Sequence, residues 1–177
     1  MLKIFGITVG VLAVAVVALL AYAATRPDTF RVARSITIKA PPEKIFGFID
    51  DFHRWGAWSP YEKMDPAMTR TFEGAQSGKG AAYAWAGKKV GEGRMEILET
   101  TPSSKIVIKL DFTKPMTAHN TAIFTLQPQG EMTEVTWAME GASPYMAKIM
   151  GLVFSMDAMV GKDFETGLSN LKAEAEK

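Results

Sequence analysis

The chain opens with a run in which almost nothing is polar and then changes character. Residues 4–24 (IFGITVGVLAVAVVALLAYAA) hold 18 hydrophobic residues among 21 and no charge. Coiled as a helix, at about 1.5 Å per residue, that run matches a hydrocarbon core about 30 Å thick. From Phe30 the period becomes two. Phe30–Lys39 (FRVARSITIK) sets Val32, Ile36 and Ile38 on one side, which predicts a half-buried strand. Pro41-Pro42-Glu43 opens a helix, because proline suits the first turn and a carboxylate suits its positive end. Ile45, Phe46, Ile49 and Phe52 follow at helical spacing as a buried stripe. Asp50 to Pro60 (DDFHRWGAWSP) is too irregular and too aromatic for one regular element.

From Met68 the pattern is that of strands, expected over 68–74, 79–86, 90–100, 104–113, 117–128 and 132–141. The breaks carry glycine, proline, serine and lysine (Gly78, Gly87-Lys88-Lys89, Pro102-Ser103-Ser104, Lys114-Pro115, Gln129-Gly130), and links this short argue for hairpins and an antiparallel sheet. Parity assigns the faces. Tyr83 and Trp85 share one with Gly91, Gly93, Met95 and Ile97; Ile106, Ile108, Leu110 and Phe112 follow; then Asn120, Ala122, Phe124 and Leu126; then Val135, Trp137 and Met139. Lys109, Asp111, Glu134 and Glu140 fall on the opposite, wet face. Pro144 starts a closing helical region in which Met156, Met159, Val160, Phe164, Leu168 and Leu171 make an apolar stripe, ending in the helix-forming tail LKAEAEK. A long amphipathic helix is thus available to cover the apolar side of one curved sheet.

Composition sharpens the division. The whole chain of 177 residues is 47% hydrophobic with a net charge of +1, but residues 25–177 hold 64 hydrophobic residues among 153 and 19 basic against 19 acidic side chains. A neutral domain of ordinary hydrophobicity (26–177) is therefore joined to an apolar segment (1–25), and its length suits a single core. Without cysteine there is no disulfide, thiolate nucleophile or zinc ribbon, and His53 and His119 lack metal-ligand spacing. No basic run offers a footprint for nucleic acid, and no phosphate-binding glycine loop occurs.

The apolar segment reads as a transmembrane anchor. A cleaved secretory signal is the competing reading, since Lys3 precedes the run and Ala21-Tyr22-Ala23 resembles a cleavage site. A signal's apolar core usually spans only 7–15 residues, so the length favours the anchor. Arg26, Arg31, Arg34 and Lys39 follow the segment and would hold the domain on the cytoplasmic side, whereas the A-x-A pattern leans the other way, so the side stays open. Gly6 and Gly10 form one GxxxG, through which two such helices can associate as a weak dimer.

Several stretches carry a family resemblance: RSITIKAPPEKIFGFIDD, WGAWSPYEKMDP, VGEGRMEI, LDFTKPM, TEVTWAMEG and MVGKDFETGLSNLK, in this order across residues 30–172. The chain resembles the START-like, or SRPBCC, superfamily, and within it the bacterial polyketide cyclase/dehydrase and lipid-transport branch. The resemblance implies an α+β helix-grip fold, a curved antiparallel sheet of about seven strands wrapped on a long C-terminal helix, here with one N-terminal transmembrane helix. It also implies a cavity between sheet and helix for a lipid or other hydrophobic small molecule, with no cofactor. The residues placed around such a cavity are Trp58, Tyr83, Trp85, Met95, Phe112, Asn120, Phe124, Trp137, Met156 and Val160.

The same aromatic lining reads equally as a filled core, since interiors are close-packed. Gly91 and Gly93 are expected to leave room on the inner face, and six of eleven methionines fall between Met132 and Met159, where thioethers suit an irregular apolar surface. The Trp55, Trp58, Ser59, Pro60, Tyr61 cluster reads as a gate at the mouth or, more simply, as a structural loop that buries its tryptophans. An alternative function is a cyclase- or dehydratase-like enzyme using Tyr83 or Asn120 on a polyketide-like or acyl substrate. Against it, Glu96 and His119 have wet parity, Glu99 lies near a strand end, His53 ends a helix, and Asp157 is expected as an N-cap. No inner acid–base pair is visible. Binding or transport by a membrane-tethered domain, in a single-pass protein of the bacterial cytoplasmic membrane, is the expectation.

Overall fold

The computed structural model describes residues 2–152 and 155–177, with the side chains of the first helix described at Gly6, Thr8 and from Gly10 onward; those of residues 2–5, Lys3 included, and of residues 7 and 9 lie outside the described set. Helix α1 (Leu2–Ala24) is followed by strand β1 (Thr29–Ile38), helix α2 (Pro42–Ile49), a 3-10 turn (Phe52–Ala57) and the short helix α3 (Pro60–Met64). Six strands come next: β2 (Thr69–Gly74), β3 (Ala81–Gly87), β4 (Gly91–Thr101), β5 (Lys105–Lys114), β6 (Ala118–Gln129) and β7 (Met132–Ala142). Helices α4 (Tyr145–Met150) and α5 (Met156–Ala175) close the chain.

All seven strands form one antiparallel sheet in the order β1-β7-β6-β5-β4-β3-β2. Only β1 is out of sequence: it pairs with β7, Thr29 opposite Ala142, and the chain returns under the sheet by α5. This is the α+β helix-grip architecture that the family resemblance implies, and the antiparallel sheet is the one expected from the alternating pattern. The inner face carries the residues that parity assigned to it, with Ile97, Ile106, Ile108, Phe124 and Val135 fully buried. Phe164, Leu168 and Leu171 of α5 close over them. A register shift between Ile97 and Glu99 interrupts the alternation, leaving Leu98 on the outside.

One local expectation is corrected and another is met. Ser155, not Asp157, caps α5: its hydroxyl accepts from the Ala158 N–H at 3.0 Å. Asp157 instead accepts from Arg34 of β1, whose guanidinium also donates to Glu165 about two turns further along, so Arg34 staples α5 to the sheet edge. The Arg34 charge holds the Asp157 carboxyl below the usual range. The tryptophan-rich stretch buries both indoles, as the structural-loop reading expects, while its Trp55, Ser59 and Tyr61 also line an interior cavity. Trp55 and Trp58 are buried, and their indole N–H groups donate to the Ile49 and Phe48 carbonyls, satisfying the open end of α2.

Helix α1 is 23 residues long, about 34 Å at 1.5 Å per residue. Among the described residues no helix is long and apolar enough to cross a membrane. Val11, Leu12, Val14, Val16, Val17 and Leu19 on α1 are exposed. Among the described residues nothing lies within 4 Å of where a Cβ would stand on Gly6 or Gly10.

Candidate functional site

Between the sheet and α5 lies an apolar cavity of about 280 Å³. Its position follows from how the aromatic residues are shared out. Phe124, Trp58, Trp137 and Phe164 interlock at one end of the interior, with Trp137 stacked on Phe164 at 4.1 Å and on Phe124 at 5.1 Å between ring centroids. That cluster is a filled core and forms the cavity floor. Beyond it the inner face carries Met95, Leu110 and Ala122, side chains too short or too thin to reach α5, and the gap between them and Val160 stays open. Tyr83, Trp85 and Phe112 wall the side formed by β3, β4 and β5, with Trp85 edge-on to Phe112 at 5.7 Å. Lys89, Val90, Met64 and Asp163 stand around the outer part.

Six of the sequence-selected residues thus line the cavity: Tyr83, Trp85, Met95, Phe112, Trp137 and Val160. Four lie elsewhere. Phe124 and Trp58 are sealed in the aromatic floor, and Met156 packs against the core's edge. Asn120 is buried, but its amide donates to the Met139 sulfur at 3.9 Å and its carboxamide oxygen sits in the space that Gly141 leaves. The glycine expectation changes as well. Gly93 does not open the cavity; the Trp85 ring lies over it, 2.4 Å from where a Cβ would stand. Gly91 turns at φ +69° against the Lys114 carbonyl. These glycines seat a ring and a neighbouring strand.

The residues that sequence reasoning missed come mainly from α3. Pro60 at its first turn and Ser59 before it are the signals that could have marked the helix. This helix brings Tyr61, Glu62 and Met64 to the cavity. The Tyr83 hydroxyl donates to Glu62 Oε1 at 2.5 Å, and Glu62 Oε2 accepts from Arg70 Nε at 2.7 Å. An acid and a base therefore do share the inner wall, contrary to the expectation from strand parity alone. Burial, then the Glu62 hydrogen bond and charge, push the Tyr83 hydroxyl far above the ordinary tyrosine range. Burial, reinforced by the Asp163 carboxylate across the cavity, does the same to Tyr61. Trp137 is buried, and its indole N–H has no hydrogen-bond partner among the described residues. Among the described residues no three His, Asp or Glu side chains converge as a metal site.

A raised folded-state pKa means that the neutral hydroxyl is the stabilised form. That stability is fully present below pH about 10 and is lost as the pH climbs above it. In chemical denaturation at pH 8 to 11, stability of the wild-type chain is therefore expected to fall more steeply than that of Tyr83→Phe. Parallel curves would show that Tyr83 is not held neutral by its surroundings.

An apolar cavity gripped between a curved antiparallel sheet and a long C-terminal helix defines a helix-grip domain built around an interior void. Residues 29–176 match the family described as polyketide cyclase / dehydrase and lipid transport, and the chain belongs to that family. The solved structures it is similar to include a protein from Chromobacterium violaceum (18% identity, TM-score 0.60, covering 86% of this chain and 99% of that one). Another is the Aha1 dimer from Colwellia psychrerythraea (16%, TM-score 0.60, 83% and 96%). A third is the major latex-like protein 151 of ginseng, Panax ginseng (13%, TM-score 0.58, 85% and 100%). At these identities the likeness is one of fold. No curated protein matches the chain.

Proposed function

We propose that this chain holds a lipid or another hydrophobic small molecule in the cavity between its sheet and α5, in a domain (26–177) tethered by residues 1–25 to the bacterial cytoplasmic membrane. The observation that carries the binding reading is the cavity itself: an unfilled apolar space of about 280 Å³ beside a core that is otherwise solid. A void lined by apolar side chains stays dry and is filled favourably by an apolar guest. Membership of a family whose description includes lipid transport agrees with it. Support for the tether comes from the uncharged run of residues 4–24 and from the valines and leucines that stay exposed along α1. The described residues leave room beside Gly6 and Gly10 for a second copy of α1, and the Aha1 relative was solved as a dimer.

The test is native mass spectrometry of the full chain released from detergent micelles, before and after incubation with palmitate. A retained adduct, reduced at least several-fold in Ala122→Phe, is the expected result, because a ring at that position in the cavity wall occupies the open space. Recovery of unliganded protein under both conditions would overturn the binding reading.

A second reading, a cyclase- or dehydratase-like enzyme, is favoured by one observation, the Tyr83–Glu62–Arg70 chain on the cavity wall. Glu62 is placed to accept a proton from Tyr83 or from a substrate hydroxyl. It predicts turnover of an acyl or polyketide-like substrate that collapses in Tyr83→Phe while the fold survives; equal rates in the variant would remove Tyr83 from the chemistry.

A further inference from the structure

We infer that α4 beds in the lipid interface alongside α1, so that the cavity opens towards the bilayer surface; the inference rests on the membrane tether proposed above. Helix α4 lies against the apolar helix. The Tyr145 hydroxyl donates to the Leu20 carbonyl at 3.0 Å, and Ile149 shares a groove with Leu12, Val16 and Leu19. Counted back from Ala24 at 1.5 Å per residue, Leu20 is about 6 Å and Leu12 about 18 Å inside the end of α1. Whatever layer surrounds that part of α1 also surrounds α4.

The side chains of α4 suit such a layer. Met146 and Met150 are 66% and 52% exposed, and Tyr145 is half exposed, with an apolar body and a polar tip. The one charged residue of the helix, Lys148, is 9% exposed and turned into an ion pair with Asp28 at 2.6 Å, so no free cation faces outward. The Lys148 ammonium lowers the Asp28 carboxyl in turn. A helix that exposes its methionines and buries its lysine is arranged for an apolar neighbour.

Strand order then places the cavity. Gly87 pairs with Gly91, Glu92 with Lys114, Phe112 with Ala118, Asn120 with Gly141 and Ala142 with Thr29. The β3–β4 turn, the β5–β6 link, the end of β7 and the start of β1 therefore lie at one end of the sheet. The cavity is at this end, bounded by Lys89 and Val90 of the β3–β4 turn and by Val160 and Asp163 early in α5. The four residues from Thr25 to Asp28 reach at most about 14 Å, so this end cannot stand far from the point where α1 stops. Met116, the most exposed large side chain of the β5–β6 link, and the exposed Lys88 and Lys89 complete the surface with apolar and basic groups of the kind an anionic bilayer takes. Continuity with α1 is what selects a bilayer over a protein as the occupant.

The chain has no native cysteine, so single labels are clean. The full chain carrying Met146→Cys, Met150→Cys, Met116→Cys or, at the far end of the sheet, Glu131→Cys is labelled with a nitrobenzoxadiazole fluorophore. Each is reconstituted in 3:1 phosphatidylcholine–phosphatidylglycerol vesicles containing spin-labelled lipid. The α4 labels are expected to be quenched at least threefold more than the Glu131→Cys label, with Met116→Cys between them. A chain that fails to float with the vesicles overturns the tether and this inference together. A floating chain whose α4 labels are as water-accessible as Glu131→Cys overturns the placement of α4 alone, as does an α4 label shielded from water yet unquenched by lipid, which would mean a protein covers it.

Discussion

Replacing Trp137 with alanine is expected to cost about 3–5 kcal/mol of folding stability, the range for deleting a large buried aromatic side chain. The ring is 4% exposed, lies between Phe124 and Phe164, and meets Trp58 and Tyr61 edge-on. It joins the sheet, α5 and the segment from Trp58 to Tyr61 at a single place. Nothing nearby can relax into the space, because the neighbouring rings are themselves held by stacking and by indole hydrogen bonds to α2. Its own indole N–H has no partner among the described residues, so the expected loss is one of packing. Denaturation of the full chain in mild detergent, followed by tryptophan fluorescence, measures the effect. A loss below about 1 kcal/mol would mean that the ring faces the cavity or water across most of its area and that the floor is not closed.

Gly93→Val is expected to act on both stability and binding. The added Cβ would stand 2.4–2.5 Å from the Trp85 ring and 2.6 Å from the Asp111 carbonyl oxygen. The ring can swing away, but only into the cavity, since its indole N–H is held towards the Val90 carbonyl and its edge rests on Phe112. The Asp111 carbonyl belongs to the paired strand and can yield only by spreading β4 from β5. Overpacking of this kind costs about 1–3 kcal/mol. The displaced ring should also remove the palmitate adduct seen by mass spectrometry. A variant that binds palmitate as the wild type does, at unchanged stability, would show that Trp85 does not rest on Gly93.

Both predictions depend on details that the alternating pattern could not supply. Period-two spacing between short breaks located all seven strands within a few residues, because a strand buried on one face must alternate to fold at all. Parity then told which side chains point inward. It did not tell what fills the interior beyond them. Phe124 and Trp85 have the same parity, yet one is sealed under Trp137 and the other walls an open space. The difference lies in whether a helix residue reaches across, and Phe164 reaches where Val160 does not. Asn120 was selected because it is polar and inward, and the structure shows its amide absorbed by Met139 and by the gap at Gly141.

Glu62 escaped notice for a different reason. Five residues of α3 are too few to show a period, and a carboxylate in a short exposed-looking segment gives no sign that it reaches a strand tyrosine 21 positions later. The same shortness hid α4 within what read as one closing helical region. The apolar run of residues 4–24, by contrast, shows in composition alone, as a long stretch without charge.

The interlocked floor of Trp58, Trp137, Phe124 and Phe164 makes the cavity a cul-de-sac. A guest of the kind proposed would be stopped by those rings and would have to leave by the way it entered. The end that enters first comes to rest against indole and phenyl rings, while the trailing end stays beside Lys89 and Asp163. An elongated guest with one polar end would therefore always be stored in the same sense, tail to the rings and head to the outside. Exchange with the surroundings would begin and finish at that head.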